Sequence, residues 1–313
     1  MRISKAVSLY LTHKHALGYR FRAEEAVLRA FCKAVDNECI ENIDLENVLL
    51  FINGKGVITK SWEKKHRVLS GLFRFAQTRG IAEVSPLPKF IPNTTAPDFV
   101  PYIYSHEELK RMIDAVPAAC GRRASIGKSV FKMLILLLYG TGLRIGEALS
   151  LTLGDVDLRQ ACLYIHETKF FKSRLVPLGK DLHEIVAEYI LNHHRTLPML
   201  SETPFFYSRD RSPLSKSAVA NAFRRLRLHA GIHREGGAYR QPRIHDLRHT
   251  SAVHRLIDWY QNGIDLHKML PQLATYLGHV NLASTQHYLT LTPELLQQAS
   301  LRFEHYYVKG ERS

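Results

Sequence analysis

Three short stretches carry side chains able to handle a phosphate ester. Gly140-Thr141-Gly142-Leu143-Arg144-Ile145-Gly146-Glu147 sets an arginine just after a glycine turn, in apolar surroundings. His245-Asp246-Leu247-Arg248-His249 puts His245 and Arg248 three residues apart, on one face if the segment is helical. Leu277-Gly278-His279 is followed nine residues on by Tyr288. A guanidinium can fork onto two non-bridging phosphate oxygens, and an imidazole moves protons near neutral pH. A phenol becomes a nucleophile once its proton, of pKa about 10, is taken. Two arginines, two histidines and a tyrosine therefore make a kit for phosphoryl transfer through a covalent intermediate. Taken singly, each has a plainer reading: Arg144 as an ion pair with Glu147, His245 with Arg248 as a surface pair, and Tyr288 as one core residue among fourteen tyrosines.

The nearest competitors for these roles are His249, His287, Tyr306 and Tyr307. His287 adjoins Tyr288, and neighbours on a helix do not share a face. The pair His193-His194 invites a metal reading, but a helix surface is the expectation, and no metal site is expected. The cysteines Cys32, Cys39, Cys120 and Cys162 form no Cys-x-x-Cys pair, so reduced thiols are expected.

These stretches need elements to carry them. Phe131 to Leu138 reads as a buried helix running into Gly140-Thr141-Gly142, and a further helix carries Arg144 and Glu147. Leu163-Tyr164-Ile165 and Arg174-Leu175-Val176-Pro177-Leu178 read as strands around a basic turn, Lys169 to Lys172. From Ser215 onward helices return, one bearing Arg224, Arg225 and Arg227. Residues 1 to about 90 read as all helical. Within them a segment from Ser61 to Arg79 buries Trp62, Leu69, Leu72, Phe73 and Ala76, and its other side carries Lys60, Lys64, Lys65, His66, Arg67 and Arg74. Residues 85–104 hold five prolines and no helical period, which marks a linker, and Ser105-x-x-Glu108 then opens a helix as a capping box. The expected organisation is a helical unit over 1–97 that ends in the linker, then a second unit over 98–313.

Among 313 residues the formal net charge is +14. A surplus of that size points to a polyanionic partner, nucleic acid first, with Lys60, Lys64, Lys65, Arg67, Lys172, Arg174, Arg224 and Arg225 as candidate DNA contacts. A membrane surface would call for a basic amphipathic anchor or a polybasic tail, and neither is evident. His13, Lys14, His15 and Arg20 interrupt the start too early for a signal peptide, so the chain reads as cytoplasmic.

In this order the motifs resemble those of the tyrosine recombinase family, which includes the phage integrases, the Xer resolvases and Cre. The resemblance covers roughly residues 105 to 300 and rests on the arginine segment around Arg144, the box His245-x-x-Arg248-His249-Thr250, and Leu277-Gly278-His279 with Tyr288. It also aligns Lys172-Ser173-Arg174-Leu175-Val176-Pro177-Leu178 with the strand that follows the family's catalytic lysine, which falls at Lys169. The resemblance implies a mainly α fold: an N-terminal helical core-binding domain and an α+β catalytic domain with a small antiparallel sheet. Tyr288 would attack the scissile phosphate to give a 3′-phosphotyrosine and a free 5′ hydroxyl, with His245 as the base. Arg144, Arg248 and His279 would hold the non-bridging oxygens, Lys169 would protonate the leaving oxygen, and Glu147 would support the arginine. The implied partner is double-stranded DNA, bound by a tetramer on two sites, in some cases with related recombinases. Neither metal nor cofactor is implied, in keeping with the absence of a Walker loop. The implied activity is site-specific recombination for integration, excision or transposition of a mobile element. A DNA-binding accessory protein of this fold that does not cut is the alternative.

Overall fold

In a computed structural model the chain forms two compact units, Met1–Asp98 and Phe99–Ser313. Its conformation is described for residues 1–54, 58, 60–92, 100–121, 124–166, 173–194, 200–279 and 281–289.

The first unit consists of α1 (Ile3–Ala16), α2 (Arg22–Ala34), α3 (Leu45–Asn53) and α4 (Lys60–Thr78), with no strand among its described residues. Asp44 starts α3 by accepting from the Asn47 amide at 2.8 Å, and the Asn47 side chain returns a contact to the Asp44 amide. Val7, Leu28, Phe31, Val48, Trp62, Leu69, Leu72 and Phe73 meet in one core. The only polar atom of the Trp62 ring donates to Asn53 Oδ1 at 2.9 Å, so the indole is buried with its hydrogen bond kept. The period read over Ser61 to Arg79 appears as α4, closed by Gly80 at φ 63°.

The second unit opens on α5 (His106–Ala119), with Ser105 and Glu108 closing the capping box in both directions. Then come α6 (Lys128–Thr141), α7 (Ile145–Leu149), β1 (Val156–Asp157), β2 (Cys162–Ile165), β3 (Arg174–Pro177), α8 (Lys180–His193), α9 (Lys216–His229), α10 (Asp246–Gln261), α11 (Leu266–Leu277) and α12 (Ala283–Gln286). The sheet is antiparallel in the order β1-β2-β3, and Leu163 stands opposite Val176, both fully buried. The fold is thus mainly helical with one small antiparallel sheet, as the sequence predicts. Strand β1 was not anticipated, because two residues are too few to show a period of two.

Helix α6 is buried on nearly every side through Phe131, Leu134, Ile135, Leu137 and Leu138, and the main core forms around it. A smaller core joins α10 and α11 through Val253, Leu256, Leu270, Leu273 and Leu277 and takes in Tyr288. His193 and His194 depart from the helix-surface expectation. His194 is fully buried and pairs with the Phe205 carbonyl at 3.1 Å, and both rings pack among Tyr189 and Tyr207. Aromatic partners distant in sequence cover the end of α8, which a periodicity reading of one helix cannot foresee. Among the described residues no group of His, Cys, Asp or Glu could hold a metal ion. Nor, among them, is any helix long and apolar enough to cross a membrane.

Candidate active site

The C-terminal end of α11 gathers three arginines from three separate elements. Tyr276 O accepts from Arg174 Nε at 2.9 Å, Leu277 O from Arg248 Nη2 at 2.8 Å, and Gly278 O from Arg144 Nη2 at 3.0 Å. Carbonyls at a helix C-terminus lack partners within the helix and carry its negative partial charge, so guanidiniums are well matched to them. Gly278 makes the convergence possible. It caps α11 in the left-handed region at φ 70°, and a Cβ there would lie 2.7 Å from Arg174 Nη1. Gly142 ends α6 in the same way at φ 62°, and its carbonyl accepts from Arg248 Nη1 at 2.6 Å.

Glu147 stands at the centre of this group. It accepts from the Arg144 amide at 3.0 Å and the Arg144 guanidinium at 2.8 Å, and from Arg174 at 2.8 and 3.2 Å. Burial alone would raise its carboxyl pKa. The hydrogen bonds and charge of Arg174, then those of Arg144, hold it down to about 2 instead. Three guanidiniums face one carboxylate, which leaves a surplus of positive charge suited to an anion. Arg248 is nearly inaccessible; burial, and then Arg144, push it down to about 10, so it remains cationic at neutral pH. The Arg144 side chain is about a third exposed.

His245 caps α10, and the turn before it is held by Asp246, which accepts from the Arg243 amide at 2.8 Å. Tyr104, on the chain entering this unit, also ties that turn: its hydroxyl donates to the Arg243 carbonyl at 3.0 Å, and its amide to Thr250 Oγ1 at 3.1 Å. Burial and then Arg248 lower both His245 and His279 to about 4, while burial and then His245 lower His249 to about 3. All three imidazoles are therefore neutral near pH 7. An arriving phosphate would raise their proton affinity again, since a neighbouring anion favours the charged ring.

Tyr288 is only 2 % exposed, its ring 5.9 Å from that of His279 and 5.6 Å from that of His249. Burial raises its pKa, and the charge and hydrogen bond of Arg248 draw it back. The structure thus brings Arg144, Glu147, His245, Arg248, His279 and Tyr288 into one place, although 144 residues separate the first from the last. His249, read from sequence as a competitor, packs between His245 and Tyr288, with ring centroids 5.1 Å from His245.

Lys169 and Lys172 lie outside the described residues, as do Tyr306, Tyr307 and the tail beyond Leu289. Among the other basic candidates, Lys60 and Arg67 are exposed on α4 and Lys64 is half-buried there. Lys65 turns back into its own unit, donating to the Phe51 carbonyl at 2.6 Å. Arg224 is exposed on α9, whereas Arg225 donates to the Ala119 carbonyl at 3.0 Å. Arg174 requires a correction, because its side chain is 9 % exposed and its guanidinium is engaged by Glu147 and Tyr276. Sequence shows that Arg174 is basic but not that Glu147, 27 residues away, neutralises it. Thr285 was likewise not singled out; fully buried, its Oγ1 lies 2.7 Å from Nδ1 of His279.

Comparison with known proteins assigns the chain a family. The model of the phage integrase family matches residues 103–294. The integrase/recombinase y4rE of Sinorhizobium fredii (strain NBRC 101917 / NGR234) is 32% identical over 307 residues, covering 96% of this chain and 95% of its own. Tyrosine recombinase XerA of Pyrococcus furiosus is 28% identical over 258 residues, covering 82% and 78% of the two chains. Two solved structures share the fold at low identity. A lambda integrase dimer bound to a COC′ core site aligns with TM-score 0.65 and 18% identity, over 92% of this chain and 95% of that one. The Tn1549 transposon integrase in complex with a circular intermediate DNA aligns with TM-score 0.66 and 17% identity, over 96% and 99%. With a family model spanning more than half its length and a relative matched nearly end to end, this chain belongs to the phage integrase family of tyrosine recombinases.

Proposed function

We propose that this protein is a site-specific DNA recombinase that breaks and rejoins duplex DNA through Tyr288. The observation that carries the reading is the gathering of Arg144, Arg248, His279 and Tyr288 at the end of α11, with net positive charge around a phenol. In this reading Arg144 and Arg248 hold the non-bridging oxygens of the scissile phosphate, and His279 donates to one of them. The Tyr288 oxygen attacks phosphorus while a neutral imidazole, His245, takes its proton. The P–O5′ bond breaks, and the leaving oxygen takes a proton from Lys169. The 3′-phosphotyrosine conserves the bond energy, so a 5′ hydroxyl of another strand can reverse the step without ATP. Glu147 and Arg174 act by holding Arg144 in place.

The partner we propose is double-stranded DNA, gripped through exposed cations such as Lys60, Arg67 and Arg224, with a tetramer assembled on two sites. The role we propose is movement of a mobile element by integration, excision or transposition. A suicide duplex, nicked near the cleavage point and drawn from DNA flanking the gene, tests the chemistry. The wild-type chain should form a covalent adduct visible on a denaturing gel, and Tyr288→Phe should form none while still binding the duplex. An adduct that survives in Tyr288→Phe would assign the nucleophile elsewhere. Binding by both proteins with no adduct from either would favour a non-cutting accessory protein.

A further inference from the structure

We propose that Thr285 is a positioning residue for DNA cleavage: its hydroxyl donates to Nδ1 of His279, which keeps the proton of that ring on Nε2. The inference rests on the reading of His279 as a phosphate-oxygen donor. Oγ1 of Thr285 and Nδ1 of His279 are 2.7 Å apart, and Thr285 is fully buried, where a hydroxyl without a partner is costly. Both backbones are anchored, Thr285 N on Leu282 O at 2.8 Å and His279 N on Ala274 O at 2.9 Å, so the pairing is a built feature and not a loose encounter.

The direction of this bond has a chemical consequence. A neutral imidazole carries one proton, and the partner of one nitrogen decides which nitrogen holds it. Were the proton on Nδ1, Thr285 would accept it, and Nε2 would present a bare lone pair to an anionic phosphate oxygen, which repels it. With Thr285 as donor, Nε2 carries the hydrogen and can bond that oxygen. The hydroxyl has a second effect. Thr285 lies three residues before Tyr288, whose ring stacks on that of His279 at 5.9 Å, so one hydrogen bond registers the phosphate-binding ring with the segment bearing the nucleophile. Threonine also suits a buried site, because its branched Cβ restricts the rotamer that aims the hydroxyl.

The test uses the full chain labelled with ¹⁵N-histidine. The His279 signals are identified among seventeen histidines by their loss in His279→Gln. At pH 7 the wild type should show His279 as the Nε2–H tautomer. Thr285→Val, which keeps the shape and removes the hydroxyl, should show mixed tautomers and form the Tyr288 adduct about 10–100-fold more slowly, the range typical when the hydrogen-bond partner of a metal-binding histidine is removed. Thr285→Ser should restore both readouts. An Nδ1–H tautomer in the wild type overturns the proposal, as does a Thr285→Val chain that cleaves at the wild-type rate. A Thr285→Ser chain as slow as Thr285→Val overturns it too, since the methyl group would then be what matters. The wild-type spectrum requires neither DNA nor a Thr285 variant. It therefore decides the Thr285 assignment even if Thr285→Val fails to fold, or if the wild type forms no adduct and the reading of Tyr288 fails.

Discussion

Glu147 is held between the guanidiniums of Arg144 and Arg174, and removing either cation leaves a buried carboxylate short of charge. Breaking one partner out of a buried ion pair typically costs about 3–5 kcal/mol, far more than an exposed pair contributes. We therefore expect Arg174→Met to lower the thermal stability of the second unit by about 3 kcal/mol and to slow adduct formation as Arg144 loses its anchor. Arg174→Lys should recover only part of this, because one ammonium cannot meet Glu147 and the Tyr276 carbonyl as a guanidinium does. Thermal unfolding and DNA titration of the same preparations separate the two roles considered for this residue. An Arg174→Met chain of unchanged stability that only binds DNA more weakly would return Arg174 to the DNA surface. At this scale the sequence identifies residue types well. It does not show that the guanidinium of Arg174 serves the carboxylate of Glu147.

Among the elements, α11 does more than pack. Its last carbonyls organise arginines from β3, from α10 and from the turn between α6 and α7. Gly278 lets those side chains approach. Any residue with a Cβ at its φ of 70° is strained by about 1–2 kcal/mol, and the Cβ would push directly on Arg174. Gly278→Ala should thus shift the denaturant midpoint downward by at least about 1 kcal/mol and slow adduct formation about 10-fold or more. A variant with wild-type midpoint and rate would show that the cap is not what places the arginines. The helices themselves were legible, because α4, α5 and α6 each carry a clear period or a cap, such as the Ser105–Glu108 box. Strand β1 was not legible, and neither was the burial of the end of α8 under Phe205 and Tyr207.

For the molecule as a whole, the buried histidines of the candidate site make stability depend on pH. His245 and His279 are held near 4 and His249 near 3, against about 6.5 for a solvated ring. Between about pH 6.5 and pH 4 the unfolded chain binds protons that the folded chain refuses, so stability falls as pH falls through that window and levels off above it. Glu147, held near 2, extends the loss below about pH 4.5, because its pairing is lost as it protonates. Denaturant titrations at pH 7.5, 6 and 5 should show this decline, and His245→Gln combined with His249→Gln should make it shallower, leaving the part that His279 contributes. A flat wild-type profile would mean that these rings ionise freely in the folded state. The net charge of +14 belongs to this scale too, since it favours a polyanionic partner without saying which lysine touches it.

From the sequence alone come the mainly helical architecture, the small sheet and the residue types of the candidate site in family order. All of these are local or periodic, and so are written within a few residues of one another. The tertiary structure alone decided that Arg174 braces Glu147, that three carbonyls of α11 gather three arginines, and that Thr285 reaches His279. Those pairings depend on which chain segments pack together and where a carbonyl is left unpaired at a helix end, and residue spacing contains neither.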